Sequence, residues 1–341
     1  MANSGVLIVG AGALGMVTGY HLNLAGATVT FLVRSPRLQA LQEPQVLYCY
    51  DDGQLKTFSD YKAVDSVAEA GQQAYDFVLV TLDGATCKTT EATAMLAQLG
   101  DAIRDTGADV VVCGMGVRDH CREVMRLHEN RVAEGTMGIF SYQVSQVDMP
   151  LHPPTDPAQL AQASMAYRHA SGKMGFMMAG KPKAAAKAFA QLYNNCGVSH
   201  CGVVPAGLYT VFTKSFAPNM AAFDLAGWPD AKAMVENREL LTLCSSAMKE
   251  IMRLPQHGLI GKLPSLFISP SSVAKNITKG EAGSLPLDYV GFCKFHHGGK
   301  VREQNIQIMR DAAQSAREQR VATPALDEML ARWEAHIKAQ A

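Results

Sequence analysis

The sequence predicts an α/β chain in two parts: a Rossmann-type dinucleotide-binding domain over residues 1–203, followed by an all-α domain over residues 204–341. Three observations predict it. The amino-terminal stretch reads strand, glycine-rich turn, helix, strand within roughly thirty residues, the context that a dinucleotide fingerprint requires. Further short, β-branched apolar runs follow at intervals, as buried parallel strands do. After residue 204 the texture changes to long segments with apolar residues at helical spacing.

The elements follow in order. "GVLIV" (5–9) is a fully apolar run and reads as a buried strand. It leads into Gly10-Ala11-Gly12-Ala13-Leu14-Gly15 and a helix to about Ala25, where Gly26-Ala27 breaks the pattern. "TVTFLV" (28–33) is the second strand, and "DFVLVTL" (76–82) and "ADVVVCGMG" (108–116) are the next buried runs. Residues 141–165 are polar and proline-bearing and read as a surface excursion; residues 167–180 read as a hairpin that closes the domain.

In the second half, residues 205–224 form an apolar helix kinked at Pro218. Residues 236–253 put Leu240, Leu241, Cys244, Met248 and Ile251 on one face. Helices over 303–319 and 324–339 complete the set, the last with a stripe of Leu326, Met329, Leu330, Trp333 and Ile337. The Gly-, Pro- and Ser-rich stretch 254–300 gives no clear elements.

Composition excludes several classes. Lys+Arg and Asp+Glu are equal at 31 each, which argues against a nucleic-acid partner. The eight cysteines are scattered, with no C-x-x-C pair, and read as reduced thiols of a cytoplasmic protein. No ligand set for a metal stands out, since Cys196, His200 and Cys201 read as residues around a strand and His296-His297 lacks companions. The amino terminus lacks a basic region ahead of its apolar run, and Lys214, Pro218, Asn219 and Asp224 interrupt the run at 205–228, so neither segment reads as a leader or a membrane span.

The glycines each have a physical task. Gly10 permits the tight turn out of the strand, Gly12 leaves the backbone open to a pyrophosphate, and Gly15 lets helix and strand pack closely. The helix start then offers free N–H groups and a positive dipole end. After the second strand stands Arg34, followed by Ser35, Pro36 and Arg37, where an NAD site carries a carboxylate for the ribose 2′-hydroxyl. A guanidinium suits a 2′-phosphate, so NADP(H) is the expected cofactor. Thr81, Leu82, Cys113 and Gly114 stand at the carboxyl ends of later strands, where an open α/β sheet places its ligands. Ser141 is added to that cofactor-lining set.

Lys214 poses a sharper question. Between Pro205 and Trp228 the only formal charges are Lys214 and Asp224, in a run otherwise apolar, small or uncharged polar. By itself this fits a lysine whose stem covers apolar surface while its head reaches water.

In order along the chain come GAGALG at 10–15, Arg34, "LVTL" at 79–82, "GMG" at 114–116, "EGTMG" at 134–138 and "HASGKMGF" around the hairpin. The helix bearing Lys214, "GGKVREQN" at 298–305 and "AREQRVATPALDEML" at 316–330 follow. With these features the chain resembles the ketopantoate reductase (2-dehydropantoate 2-reductase) family over essentially its full length, as a divergent member. The resemblance implies an NADPH-dependent reductase of a small-molecule carbonyl substrate, a 2-oxo acid. It makes Lys214 the general acid, with Glu303 in the same site and on the cofactor side, and Asn219 a substrate ligand. It also implies a homodimer through the helical half.

The sequence departs from the family pattern on the substrate side. Cys113 stands where the family has asparagine and Asp83 where it has lysine; Pro218 and Ala222 replace asparagines four and eight residues beyond the catalytic lysine. Asn219 is one residue out of step, and the family's serine upstream of Glu303 falls near Gly291 with no evident replacement. The alternatives left open are an opine-, hydroxyacid- or imine-type dehydrogenase and a non-catalytic NADPH-binding sensor.

Overall fold

The computed structural model describes residues 4–340. Contacts divide the chain into two compact units, one ending at Val204 and the other beginning at Pro205.

The first unit is built on two sheets. Its strands are β1 (Gly5–Val9), β2 (Thr28–Leu32), β3 (Gln45–Cys49), β4 (Gln54–Phe58), β5 (Lys62–Val64), β6 (Phe77–Val80), β7 (Asp109–Val112), β8 (Val132–Met137), β9 (Ile139–Gln143), β10 (Met165–His169), β11 (Met174–Ala179) and β12 (His200–Val204). The larger sheet has the order β12-β11-β8-β7-β6-β1-β2-β5. From β5 to β8 all neighbours are parallel. Numbered among themselves, these six strands run 3-2-1-4-5-6, the doubly wound dinucleotide-binding order, whose direction of winding reverses between β1 and β6.

Both faces of this sheet are covered, which explains its continuous apolar strands. Val6 and Ile8 belong to one buried cluster with Met16, Val17, Phe31 and Phe189; Leu7 and Val9 belong to the other, with Leu96, Leu99 and Ile103. Alternate residues of a single strand thus serve opposite cores.

The smaller sheet, ordered β4-β3-β10-β9, was not legible in the sequence. It overturns the expected hairpin at 167–180. β10 pairs with β3 and β9, whereas β11 pairs with β8 and β12, so the two strands leave the Gly172 turn for different sheets. β8 and β9 do the same across Gly138. The excursion expected at 141–165 begins only after Gln143, because β9 runs to that residue.

The second unit is helical. The expected single helix at 205–224 is two helices, Ala206–Ser215 and Ala217–Leu225, meeting at Phe216. Pro218 lies in the first turn of the second, where its missing N–H costs nothing. Arg238–Met252, Arg302–Glu318 and Pro324–Gln340 correspond to expected helices. The stretch 254–300 resolves into helices Gly258–Ser265, Pro270–Ser284 and Tyr289–Phe295 and a π turn, His296–Lys300.

Polar anchors fix the helical core. Asp224, buried at 4% exposure, accepts from the indole N–H of Trp228 at 2.8 Å and of Trp333 at 2.7 Å. Glu250 accepts from the backbone N–H of Ala325 and Leu326 and so caps the last helix. One of the two charges in the apolar run is thereby explained as structural. Among the described residues no helix is long and apolar enough to cross a membrane.

Candidate functional site

The turn after β1 is held open by backbone geometry. Gly10 takes φ +100°, a conformation that side chains disfavour. Its carbonyl oxygen, and that of Val9, accept from the hydroxyl of Thr81 at 3.1 and 2.9 Å, tying the ends of β1 and β6 together. A side chain at Gly15 would run into the Gly10 carbonyl oxygen, whereas at Gly12 nothing lies within 4 Å of where a Cβ would be. Gly12 caps the helix Ala13–Leu24 with no side-chain hydrogen bond. The first N–H groups of that helix therefore face open space with a positive dipole end behind them.

This arrangement lies at the carboxyl ends of β1 and β6, where the winding reverses. A cradle with space at Gly12 and none at Gly15 fits the pyrophosphate of a dinucleotide. Thr81, Leu82 and Gly114 join it. A Cβ at Gly10 would come within 3.1 Å of the Thr81 hydroxyl and 3.3 Å of Leu82, and one at Gly114 within 2.9 Å of the Leu82 carbonyl. Ala11 and Ala13 are buried beneath the turn; Leu14 packs against the core from its edge. Cys113 is half-buried at the end of β7, and burial pushes its thiol pKa up. That neutral thiol offers a weaker hydrogen bond than the asparagine expected there.

Asp83 caps the short helix after β6, accepting from Ala85 N–H at 3.0 Å, Thr86 N–H at 2.9 Å and the Thr86 hydroxyl at 2.7 Å. Its side chain serves the backbone, a use that the position of the usual lysine did not reveal. Ser141 stands apart from the strand ends: it lies in β9 of the smaller sheet, opposite Tyr167, buried and with its hydroxyl unpaired.

Arg34 is exposed at the end of β2, on the residue that opens the turn Ser35–Leu38. Among the described residues neither Arg34 nor Arg37 has a carboxylate partner, and two guanidinium nitrogens of Arg37 are buried without any acceptor. Two guanidinium groups thus stand just beyond the end of β2, and Asp65 follows the neighbouring strand β5.

In the second unit Lys214 lies in the last turn of the helix Ala206–Ser215, partly buried, with no ion-pair partner among the described residues. Its charge reaches His257: burial, and then the Lys214 ammonium, hold that imidazole below its usual pKa. Glu303 was the expected carboxylate for this lysine. Instead it is exposed and bound to Arg310 at 2.9 Å, and Arg310 is also bound to Glu334 at 2.7 Å.

Asn219 is partly buried, with an amide oxygen that has no partner. Sequence reasoning missed two further polar groups of this unit. His297 and Asn305 sit on the π turn and the following helix and are joined by a 3.1 Å hydrogen bond. The His-His-Gly-Gly run was their only signal.

Residues 6–153 match the family model of ketopantoate reductase PanE/ApbA. Over those residues the chain is similar to the ketopantoate reductase family. Solved structures match over its full length at low identity, and so speak for the fold. A PanE/ApbA family ketopantoate reductase from Ralstonia eutropha JMP134 is 16% identical, with a TM-score of 0.67 over 99% of this chain and 100% of that one. D-mandelate dehydrogenase, solved with NADH and anilino(oxo)acetate, is 12% identical, with a TM-score of 0.67 over 98% of each chain. Octopine dehydrogenase, solved with NADH and agmatine, is 12% identical, with a TM-score of 0.59 over 98% of this chain and 90% of that one. No curated protein sequence matches.

Proposed function

We propose that this protein is an NADPH-dependent reductase that converts a 2-oxo acid, 2-dehydropantoate or a close relative of it, to the 2-hydroxy acid. The observation that carries the reading is Lys214, an ammonium in an apolar helix with no carboxylate partner among the described residues, in a chain whose other unit holds a dinucleotide cradle similar to that of the ketopantoate reductase family. A lysine kept partly from water and unpaired is suited to a substrate oxygen.

The cofactor is held by the turn Gly10–Gly15, by the N–H groups of the helix it opens, and by Thr81, Leu82 and Gly114 beside them. A reduced nicotinamide bound there supplies hydride. Arg34, at the end of β2 and with no carboxylate partner among the described residues, favours a 2′-phosphate on that cofactor, although the D-mandelate dehydrogenase and octopine dehydrogenase structures hold NADH. Lys214 hydrogen-bonds the carbonyl oxygen of the acid, draws charge onto it as the carbonyl carbon is reduced, and donates its proton to the alkoxide. The lysine, left neutral, is reprotonated from water. The likeness to octopine dehydrogenase supports a second reading, reductive joining of a 2-oxo acid to an amine, by the same cofactor and lysine.

The test is NADPH consumption by the purified protein with a panel of 2-oxo acids, each with and without an amine, and with NADH as the competing cofactor. Turnover of a 2-oxo acid alone supports the main reading, and turnover only with amine supports the second. NADPH binding with no turnover overturns both and identifies a nucleotide-binding sensor.

A further inference from the structure

On the helix Gly258–Ser265 and the turn that continues it, large apolar side chains stand in water. Leu259, Ile260, Leu263, Leu266 and Phe267 are each between 50% and 79% exposed. The turn is held by Leu266 N–H donating to the Leu263 carbonyl at 3.2 Å and Phe267 N–H to that of Pro264 at 3.0 Å. At ~100° per residue these side chains fall within about 120° of the helix circumference and form one ridge.

The opposite face fixes the direction in which the ridge points. A Cβ at Gly261 would run into the carbonyl oxygen of Met252, so the helix lies close on the end of the helix Arg238–Met252. Four residues on, Ser265 is fully buried, donates to the Lys262 carbonyl at 2.7 Å and accepts from Arg253 Nε at 2.8 Å. With Gly261 and Ser265 turned inward, the leucines are turned out. Single exposed apolar residues are ordinary, whereas a contiguous ridge marks a contact surface.

The charges around the ridge have one sign. The whole chain balances 31 basic against 31 acidic residues, yet residues 251–280 hold Arg253, Lys262, Lys275 and Lys279 and no Asp or Glu. Lys262 is exposed and flanks the ridge, ~60° round the helix from Leu259. The bond to Ser265 brings the exposed Arg253 alongside.

We propose that this ridge seats the protein on an anionic phospholipid surface. Its Leu, Ile and Phe side chains enter the headgroup layer, as the apolar face of an interfacial helix does, while Lys262 and Arg253 meet the lipid phosphates. The contact is with one leaflet, since a helix of 8 residues is ~12 Å long against the ~30 Å of a bilayer's hydrocarbon. A fluid surface takes a convex ridge without needing a matching groove. A second copy fits it less well. A two-fold axis on this helix would set Lys262 near its own copy, and the ridge falls well short of the roughly 20–30 residues a side of a stable interface. The contact goes beyond the reductase reading and does not depend on it.

The purified protein is floated with vesicles of phosphatidylcholine, alone or mixed with phosphatidylglycerol, and its association state is read by sedimentation velocity. Wild type is expected to bind the mixed vesicles at least ~10-fold more tightly than the neutral ones, and to leave them as salt rises. Leu263→Asp puts a charge on the ridge and should lower binding at least ~10-fold; Lys262→Gln should lower it about fivefold. Phe267→Trp should give a blue-shifted emission with the mixed vesicles only, as its indole enters lipid. Thermal melting should match wild type in all three, because the substituted side chains are exposed. If Leu263→Asp fails to fold, Lys262→Gln and Phe267→Trp decide. Wild type that stays off the mixed vesicles overturns the proposal, as does Leu263→Asp that floats like wild type, which would place the contact elsewhere. Equal binding to both vesicles overturns it too, since the cations would then select nothing. A wild-type dimer that Leu263→Asp dissociates assigns the ridge to a second copy instead.

Discussion

At the end of β1 the groups that face a dinucleotide are backbone: a glycine at positive φ, a helix start without a side-chain cap, and carbonyls tied by the Thr81 hydroxyl. Around Phe216 the unanswered groups are side chains: Lys214, with no carboxylate partner among the described residues, and Asn219 and Asn305, with unpaired amide oxygens. The first region is complete before any ligand arrives, since each of its constraints is met within the protein. The second is left with polar groups unanswered, each costing ~1–3 kcal/mol where it is buried. A cofactor common to many enzymes can be met by fixed backbone. A particular substrate is met by side chains, which substitution alters one at a time.

That contrast can be broken most severely at Lys214. Lys214→Met should lower kcat by about 10²–10⁴, the range for loss of a general acid, while NADPH affinity measured by fluorescence stays within about twofold. A parallel loss of NADPH binding would mean that the lysine serves the fold or the cofactor.

Gly15→Ala tests the other region. Its Cβ meets the Gly10 carbonyl, which cannot move without disturbing the Thr81 bonds. Dinucleotide affinity is expected to fall by about 100-fold and stability by ~1–3 kcal/mol, read by titration calorimetry and thermal melting. Gly12→Ala, facing open space, should keep the stability and lose only affinity. If the two variants behave alike, the cradle is not built as described.

Arg34→Ala sharpens the cofactor assignment. Because the arginine is exposed, the loss of NADPH over NADH preference should be moderate, about tenfold in the ratio of kcat/KM. An unchanged ratio would move the 2′-phosphate contact to Arg37 or dismiss it.

The smallest effect concerns pH. His21, buried on the helix that follows the glycines, accepts or donates at Nδ1 to the Tyr193 hydroxyl at 2.8 Å. Burial, then the neighbouring His169, lower its pKa to about 3. Unfolded, the same histidine binds a proton near its ordinary value of about 6.5. Below that pH the unfolded chain therefore holds more protons, so the stability contributed by neutral His21 is present above about 6.5 and is lost as pH falls toward 3. The slope is at most about 1.4 kcal/mol per pH unit. Melting curves between pH 7 and pH 5 should show a flatter dependence in His21→Gln than in wild type.

How much was legible divides along the same line. The strand–turn–helix–strand start could be read because backbone demands leave few residue choices: only glycine suits φ +100° at position 10, and only glycine clears the carbonyl above position 15. The buried strands could be read because a sheet covered on both faces leaves no polar alternation. The hairpin at 167–180 could not be read correctly, since the residues on either side of Gly172 would look the same whether their strands paired with each other or entered different sheets. β4 and β5 were missed for a related reason: in β4 only Phe58 is fully buried, and β5 has three residues. Glu303 had the right neighbours in sequence, but on its helix it turns toward Arg310, while Asn305 two residues later turns inward.

Taken alone, the sequence determined the dinucleotide fold, the glycine cradle, the cationic end of β2 and the anomaly of Lys214, because each is set by local backbone sterics or by a charge out of place among apolar neighbours. Tertiary structure alone decided which charge was structural and which was free. Asp224 is satisfied by the indole of Trp228, one helical turn away, and by that of Trp333, 109 residues along the chain, whereas Lys214 has no carboxylate partner among the described residues. It also decided that His297 and Asn305 face the helix junction. Partners separated by dozens of residues are chosen by packing, and spacing along the chain does not encode that choice.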